Sequence, residues 1–329
     1  NRLFTSQLLM QNIKYYMNLN YITFLFFFTL FPAKAQQDAQ FSDYKLNMSS
    51  FNPAFAGFYE GSVLLIHRTQ FAGFSGAPES KNLNVNIPVS MNMGMGLNVM
   101  GEKLGVTEEL TITGDYSYTI FFDDLTMLTF GLKGGFSSLN VDYSRLDLQD
   151  DGDLNFANNI NNKIVPEVGI GFMFNTSDWF IGISTPNFIR ESFNSTIEGF
   201  TATTQPHFYF TTGYKTQLSD ELLFKPSILA KYVDSAPLAI DFALNFEWIE
   251  KFRFGTSYRW DSAVTAIVGM NLLKDFQAGY AYDHNLNSLG KFAPSSHQFY
   301  IKYTFKANEK LRRECGSCSF ANSTKNIGF

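Results

Sequence analysis

The sequence predicts an all-β protein: a transmembrane antiparallel β-barrel of about 14 strands, with a short N-terminal segment plugging the lumen. Three observations carry this. Apolar and polar side chains alternate with a two-residue period from about residue 61 to 305, and successive side chains of a strand point to opposite faces. The chain holds 36 Phe and 16 Tyr with only 17% charged residues, yet its mean hydropathy is -0.09. Membrane helices would score far higher, because each span needs ~20 mostly apolar residues. A barrel averages an apolar lipid face with a polar lumen. The third observation is that long and short connections fall on opposite ends of the expected strands.

Taken in order, the run at 22–31 is apolar but short for a membrane span, and Ala33-Lys34-Ala35 follows as a small-x-small cleavage pattern. Residues 1–35 therefore read as a secretory signal peptide, with the mature chain expected to begin at Gln36. Met10 and Met17 both fit as starts, which would leave residues 1–9 upstream of the true one. Residues 36–60 are neither signal nor good strand. The stretch from Asp38 to Met48 suits a short helix that Asn52-Pro53 breaks. A segment just before the first strand can fold into the lumen, where irregular backbone is tolerated when buried in protein.

The barrel is expected over 61–306, with strands at 61–69, 80–88, 93–101, 106–121, 125–141, 164–175, 178–186, 207–217, 221–233, 237–247, 251–260, 262–272, 275–284 and 296–306. The number is even, as single-chain bacterial barrels require. Ile240, Phe242, Leu244 and Phe246 alternate with Ala239, Asp241, Ala243 and Asn245; Phe252, Phe254 and Tyr258 alternate with Arg253, Gly255 and Ser257. Pro226 has no N–H to give a ladder and predicts a bulge. If strand 1 runs outward from the periplasm, the tight connections at 122–124, 176–177, 218–220, 248–250 and 273–274 are periplasmic. The long ones at 70–79, 142–163, 187–206 and 285–295 are then external, as in outer-membrane barrels. Residues 307–329 form a polar tail read as periplasmic. Cys315 and Cys318 lie in it, and in an exported protein a local disulfide is the expectation.

Several function classes are disfavoured. A net charge of -5 does not make a nucleic-acid footprint. His67, His207, His284 and His297 sit in no motif joining a Ser and an acid, so no enzyme activity is expected, and no cofactor or metal. Asp147, Asp150, Asp151 and Asp153 around Gly152 do not follow a calcium-loop alternation and read as a solvated loop. Charges facing lipid are costly, so Arg68, Lys225, Lys231, Arg253, Arg259 and Lys302, with Asp241 and Glu247, belong on the lumen side. They read as a network that satisfies a filled lumen, ahead of a channel for cargo or an anion. Trp179, Trp248 and Trp260 fall near strand ends, as interfacial anchors do.

Short motifs flank the first strands: Gln40-Phe41-Ser42-Asp43-Tyr44, Asn52-Pro53-Ala54-Phe55-Ala56-Gly57, Arg68-Thr69-Gln70 and Gly76-Ala77-Pro78. Gly94-Met95-Gly96, Pro166-Glu167-Val168-Gly169-Ile170-Gly171 and Trp179-Phe180-Ile181-Gly182-Ile183-Ser184 follow in order. The ordered set resembles the PorP/SprF-like family, with Phe71 where Trp is more usual and Glu79 where Thr is common. The resemblance implies an outer-membrane component of the type IX secretion and gliding-motility machinery of Bacteroidota. Such a protein would bind a large secreted protein, often an adhesin, through the cargo's C-terminal domain and deliver or anchor it at the surface. The motif and plug residues carried over are Gln40, Phe41, Tyr44, Asn52, Pro53, Ala54, Gly57, Arg68, Gln70, Gly76 and Pro78. Phe188, Arg190, Phe193 and Phe200, in the external loop 187–206, are the candidate cargo contacts. Other outer-membrane or lipoprotein components and the lipid membrane are the further partners expected. The alternative reading is an outer-membrane channel for small hydrophobic or anionic solutes.

Overall fold

The computed structural model describes residues 41–58, 60–146, 159–189, 192–194, 201–203, 205–234, 236–286 and 295–305. The expected signal peptide, Gln40, the acidic residues at 147–153, Arg190, Phe200 and the tail with Cys315 and Cys318 lie outside the described residues. The chain divides into units 1–36 and 37–329, and only the second contains described residues.

That unit is a barrel. Its strands are β1 (Gly61–Thr69), β2 (Glu79–Pro88), β3 (Met93–Leu104), β4 (Thr107–Phe121), β5 (Met127–Val141), β6 (Ile160–Asn175) and β7 (Trp179–Thr185). A small hairpin of β8 (Ser192–Asn194) and β9 (Thr201–Thr203) makes a sheet of its own. The barrel continues with β10 (His207–Tyr214), β11 (Thr216–Ser219), β12 (Leu222–Val233), β13 (Ala239–Trp248), β14 (Phe252–Arg259), β15 (Ala263–Leu273), β16 (Phe276–Asn285) and β17 (Ser295–Phe305). Neighbours pair antiparallel throughout. β17 closes onto β1 from Gly61↔Phe305 to Thr69↔His297, and β10 pairs with both β7 and β12. β10 and β11 are one barrel strand interrupted at Lys215, so the closed barrel has 14 strands, as expected.

Pro226 corrects one expectation. Its register with β13 is unbroken, Lys225↔Asn245, Pro226↔Leu244 and Ser227↔Ala243, so there is no bulge there. The missing N–H acts on the other side. Pairing with the preceding strand lapses between Gly213↔Ser227 and Thr216↔Phe224, which is the break separating β10 from β11. Lys215 N–H instead donates to the Asp178 carbonyl at 2.8 Å.

The connections divide as the sequence indicates. The strand ends joined through 70–78, 142–159, 186–206 and 286–294 lie at one rim, and the short connections 122–126, 176–178, 249–251 and 274–275 lie at the other. Burial is inverted relative to a water-soluble fold. Phe242, Leu244, Phe254, Phe299 and Ile301 are exposed, while Asp241, Asn245, Asn84, Thr129 and Gln298 are buried. An apolar outer belt around a polar lumen is what strands crossing lipid require. Among the described residues no helix is long and apolar enough to cross a membrane. Trp179 and Trp248 stand at the short-turn rim and Trp260 beside the long-loop rim, all exposed, where interfacial aromatics sit.

Candidate functional site

The lumen is occupied by residues 41–58. This segment makes a 3-10 turn at Tyr44–Asn47, one α-helical turn at Met48–Phe51 and a second 3-10 turn at Pro53–Phe55. The helix expected from Asp38 to Met48 is, over its described part, broken into turns. Asn47 leaves helical backbone angles (φ -129, ψ 54), and its side chain donates to Asn82 Oδ1 at 2.8 Å. Asn52 starts the last turn from an extended conformation, and its Oδ1 accepts from the Ala54 N–H at 3.0 Å. Pro53 suits the first turn position, where its absent N–H would go unused.

The plug bonds to strands on every side of the barrel. Toward the long-loop rim, Ser42 N–H donates to Gln298 Oε1 (2.8 Å) and its hydroxyl to Asp283 (2.8 Å). Arg68 clamps the same pair, reaching Ser42 Oγ at 3.1 Å and Asp283 at 2.7 Å. Asp43 pairs with Arg253 on β14 at 2.6 Å, and the Tyr44 and Ser227 hydroxyls are 2.7 Å apart. Asn84 donates to Ser49 Oγ, Lys133 to the Ser49 carbonyl, Ser184 to the Phe51 carbonyl and Ser117 to the Ala56 carbonyl. Tyr44, Met48, Phe51, Ala54 and Phe55 form an apolar cluster with Met173, Phe180 and Leu229, and the Phe51 ring stacks on Tyr209 at 5.4 Å. Phe41 packs with Leu64, Ile66 and Tyr300.

Toward the short-turn rim, the Asn-Pro-Ala-Phe-Ala-Gly turn is cradled by glycines from four strands. A Cβ at Gly171 would overlap Asn52 Oδ1, one at Gly131 the Pro53–Ala54 peptide, one at Gly94 the Ala56 carbonyl, and one at Gly182 would crowd Asn52 Nδ2. Gly57 ends the turn at φ +58, with Ile87 backbone in the space a Cβ would need. The scattered glycine motifs of β3, β6 and β7 thus share one task, a wall flat enough to admit plug backbone. Asn52 Nδ2 also reaches the Phe172 carbonyl at 3.2 Å.

The lumen charges are largely paired: Arg68–Asp283, Lys133–Asp115 (2.8 Å), Lys225–Glu247 (2.8 Å) and Arg259–Asp241 (2.9 Å). In the plug, burial raises the Tyr44 phenol above its ordinary value. Burial, then Lys225 and Arg253, push Lys45 down to about 7, against a smaller upward pull from Asp43 and Glu247.

Of the motif residues, Phe41, Tyr44, Asn52, Pro53, Ala54, Gly57 and Arg68 come together in the lumen. Gln70, Gly76 and Pro78 do not; they shape the β1–β2 loop, where Gln70 N–H donates to the Pro78 carbonyl at 2.8 Å and Gly76 has φ +75. Phe188 is exposed in the β7–β10 connection, and Phe193 lies on β8. Sequence reasoning passed over Asp43, Asp115, Lys133, Asp283 and Gln298 as partners. It also passed over Asn82, Asn84 and Asn86, whose two-residue spacing on β2 is a legible sign of a polar face turned to a partner.

A closed barrel with an apolar belt, a polar lumen and an N-terminal plug is an outer-membrane β-barrel protein. Residues 33–303 match the family described as type IX secretion system membrane protein PorP/SprF, and the chain belongs to that family. No curated protein matches it. Among solved structures it is similar to the Ralstonia pickettii toluene transporter TbuX, at 12% identity and TM-score 0.46 over 80% of this chain and 94% of that one. It is also similar to Acinetobacter baumannii Omp33, at 6% and 0.44 over 76% and 100%. A Pseudomonas aeruginosa FadL homologue stands at 10% and 0.44 over 78% and 93%.

Proposed function

We propose that this barrel binds a large secreted protein, an adhesin in the first instance, through the cargo's C-terminal domain and delivers or anchors it at the cell surface. Membership of a type IX secretion family supports a secretion role. The observation that carries the reading further is the plug. Its contacts run from Ser42 near the long-loop rim to Ala56 near the short-turn rim, so lumen space is taken by the chain itself and the rims are left to meet a partner. The β7–β10 connection is the favoured cargo contact, since it holds a hairpin outside the barrel sheet and the exposed Phe188. The reading contains no catalytic step, cofactor or metal. Other components of the secretion system are further partners.

The test is purification of the tagged protein from detergent-solubilised membranes. A large secreted protein with a type IX C-terminal domain should co-purify, and deleting the gene should remove that protein from the cell surface. Steady conductance in planar bilayers with no co-purifying cargo would overturn the proposal in favour of a solute channel.

A further inference from the structure

The barrel wall is complete without the plug. Residues 41–58 contribute no strand to the sheet, and β17 closes onto β1 from Gly61↔Phe305 to Thr69↔His297 with no rung from them. Most lumen charge is matched strand to strand: Arg68–Asp283, Lys133–Asp115, Lys225–Glu247 and Arg259–Asp241 each join two strands. Among the described residues one ion pair, Asp43–Arg253, joins plug to wall. Asn84, Asn98, Thr113, Ser117 and Thr129 are buried polar wall groups, which water satisfies as well as a plug does. Against these stands the apolar contact of Phe51 and Phe55 with Met173, Phe180 and Leu229, which holds the segment in place. The plug's C-terminal end leads into β1 at the short-turn rim, and that rim is the exit open to a tethered segment.

We propose that residues 41–58 are a removable stopper, and that the barrel becomes a water-filled pore for ions and small hydrophilic solutes when they swing out toward the short-turn rim. No ladder hydrogen bond breaks in that movement, and one wall charge, Arg253, loses its partner. The turn at Met48–Phe51 sets the scale of the opening: an α-helix with its side chains is about 10 Å across, so the space it vacates admits water and small polar molecules. Docked, the apolar cluster keeps the pore shut. The pore does not depend on the cargo reading, because cargo is absent from its test.

The experiment records single-channel currents from the purified full chain in planar bilayers in potassium chloride. Wild type should be closed almost all the time. D43A, which removes the plug-to-wall ion pair, and F51A, which removes the stacked ring, should each raise the open fraction by about a hundredfold. If one of the two does not give a heat-modifiable barrel, the other decides. A lock makes the result specific. Ala56 Cβ lies 3.2 Å from where a Cβ on Gly96 would stand, within a small adjustment of disulfide spacing. With A56C/G96C added to F51A, in a background of C315S/C318S, oxidation should close the pore and a reductant should reopen it. Silence of the folded F51A and D43A barrels, an open fraction in wild type equal to theirs, or currents unchanged by the oxidised lock would overturn the stopper.

Discussion

The Asp43–Arg253 contact offers the sharpest test of how the plug is held. Both side chains are almost wholly buried, at 2% and 8% exposure, and they meet at 2.6 Å. Asp43→Ala removes the one carboxylate paired directly with the guanidinium and leaves it Asn245 Oδ1 at 3.2 Å and the Tyr300 hydroxyl, with Glu247 further off and Lys45 nearby. Removing one partner of a buried pair costs about 3–5 kcal/mol, since the other charge stays buried and uncompensated. At 1.4 kcal/mol per tenfold, that moves the docking equilibrium of the plug by about two to four powers of ten. Hydrogen exchange read by mass spectrometry over 41–58 measures it directly: exchange should accelerate in D43A while the central strands stay protected. The double variant D43A/R253M should recover most of the protection, because it removes the stranded charge. Plug exchange in D43A equal to wild type, or faster exchange in the double variant than in the single, would refute the argument.

Three further outcomes follow from the same geometry. Gly171→Val puts a side chain where Asn52 Oδ1 lies, so the plug should become protease-sensitive in a barrel that still shifts on heating in gels; unchanged protection would count against the glycine cradle. Lys45, held at about 7 when docked and near its ordinary 10.5 when free, ties docking to pH. Below about 7 it is charged in both states and the burial penalty is present in full; between about 7 and 10.5 the free form binds more protons, so docking should strengthen as pH rises through that window. K45M should flatten this slope in the exchange assay. Replacing 187–206 with a short polar linker should weaken cargo co-purification and leave the barrel heat-modifiable, and undiminished co-purification would remove that loop from the proposal.

The strands were legible because their signal is local. A two-residue period written in Phe, Leu and Ile against Asp, Asn and Ser needs no knowledge of the partner strand, and it placed β1, β13 and β17 within two residues of their ends. Loop lengths then set the two rims. Pro226 was harder: its effect depends on which neighbour its nitrogen faces, and that is fixed by pairing alone. The site was legible only as words without syntax. Gly94, Gly171 and Gly182 stand out as motif glycines, but that they face Asn52 and Ala56 across the lumen is a product of barrel closure. Asp43 and Arg253 are far apart in the chain and carry no shared pattern, so nothing local announces their pair.

The chemistry of the plug also decides which of its contacts hold it. The wall groups that grip it, Asn82, Asn84, Ser117, Ser184 and Ser227, are hydroxyls and amides that water would satisfy if the plug left. Each such hydrogen bond is therefore worth only about 0.5–1.5 kcal/mol net. Phe51 differs, being buried against Tyr44, Met48 and Tyr209, and losing such a side chain costs about 3–5 kcal/mol. Phe51→Ala should thus raise plug exchange far more than Ser184→Ala, although Ser184 bonds the Phe51 carbonyl itself at 2.7 Å. If Ser184→Ala loosens the plug as much as Phe51→Ala, the polar contacts act as a cooperative network rather than as separate weak bonds. Retention would then lie in the wall and not in the aromatic cluster.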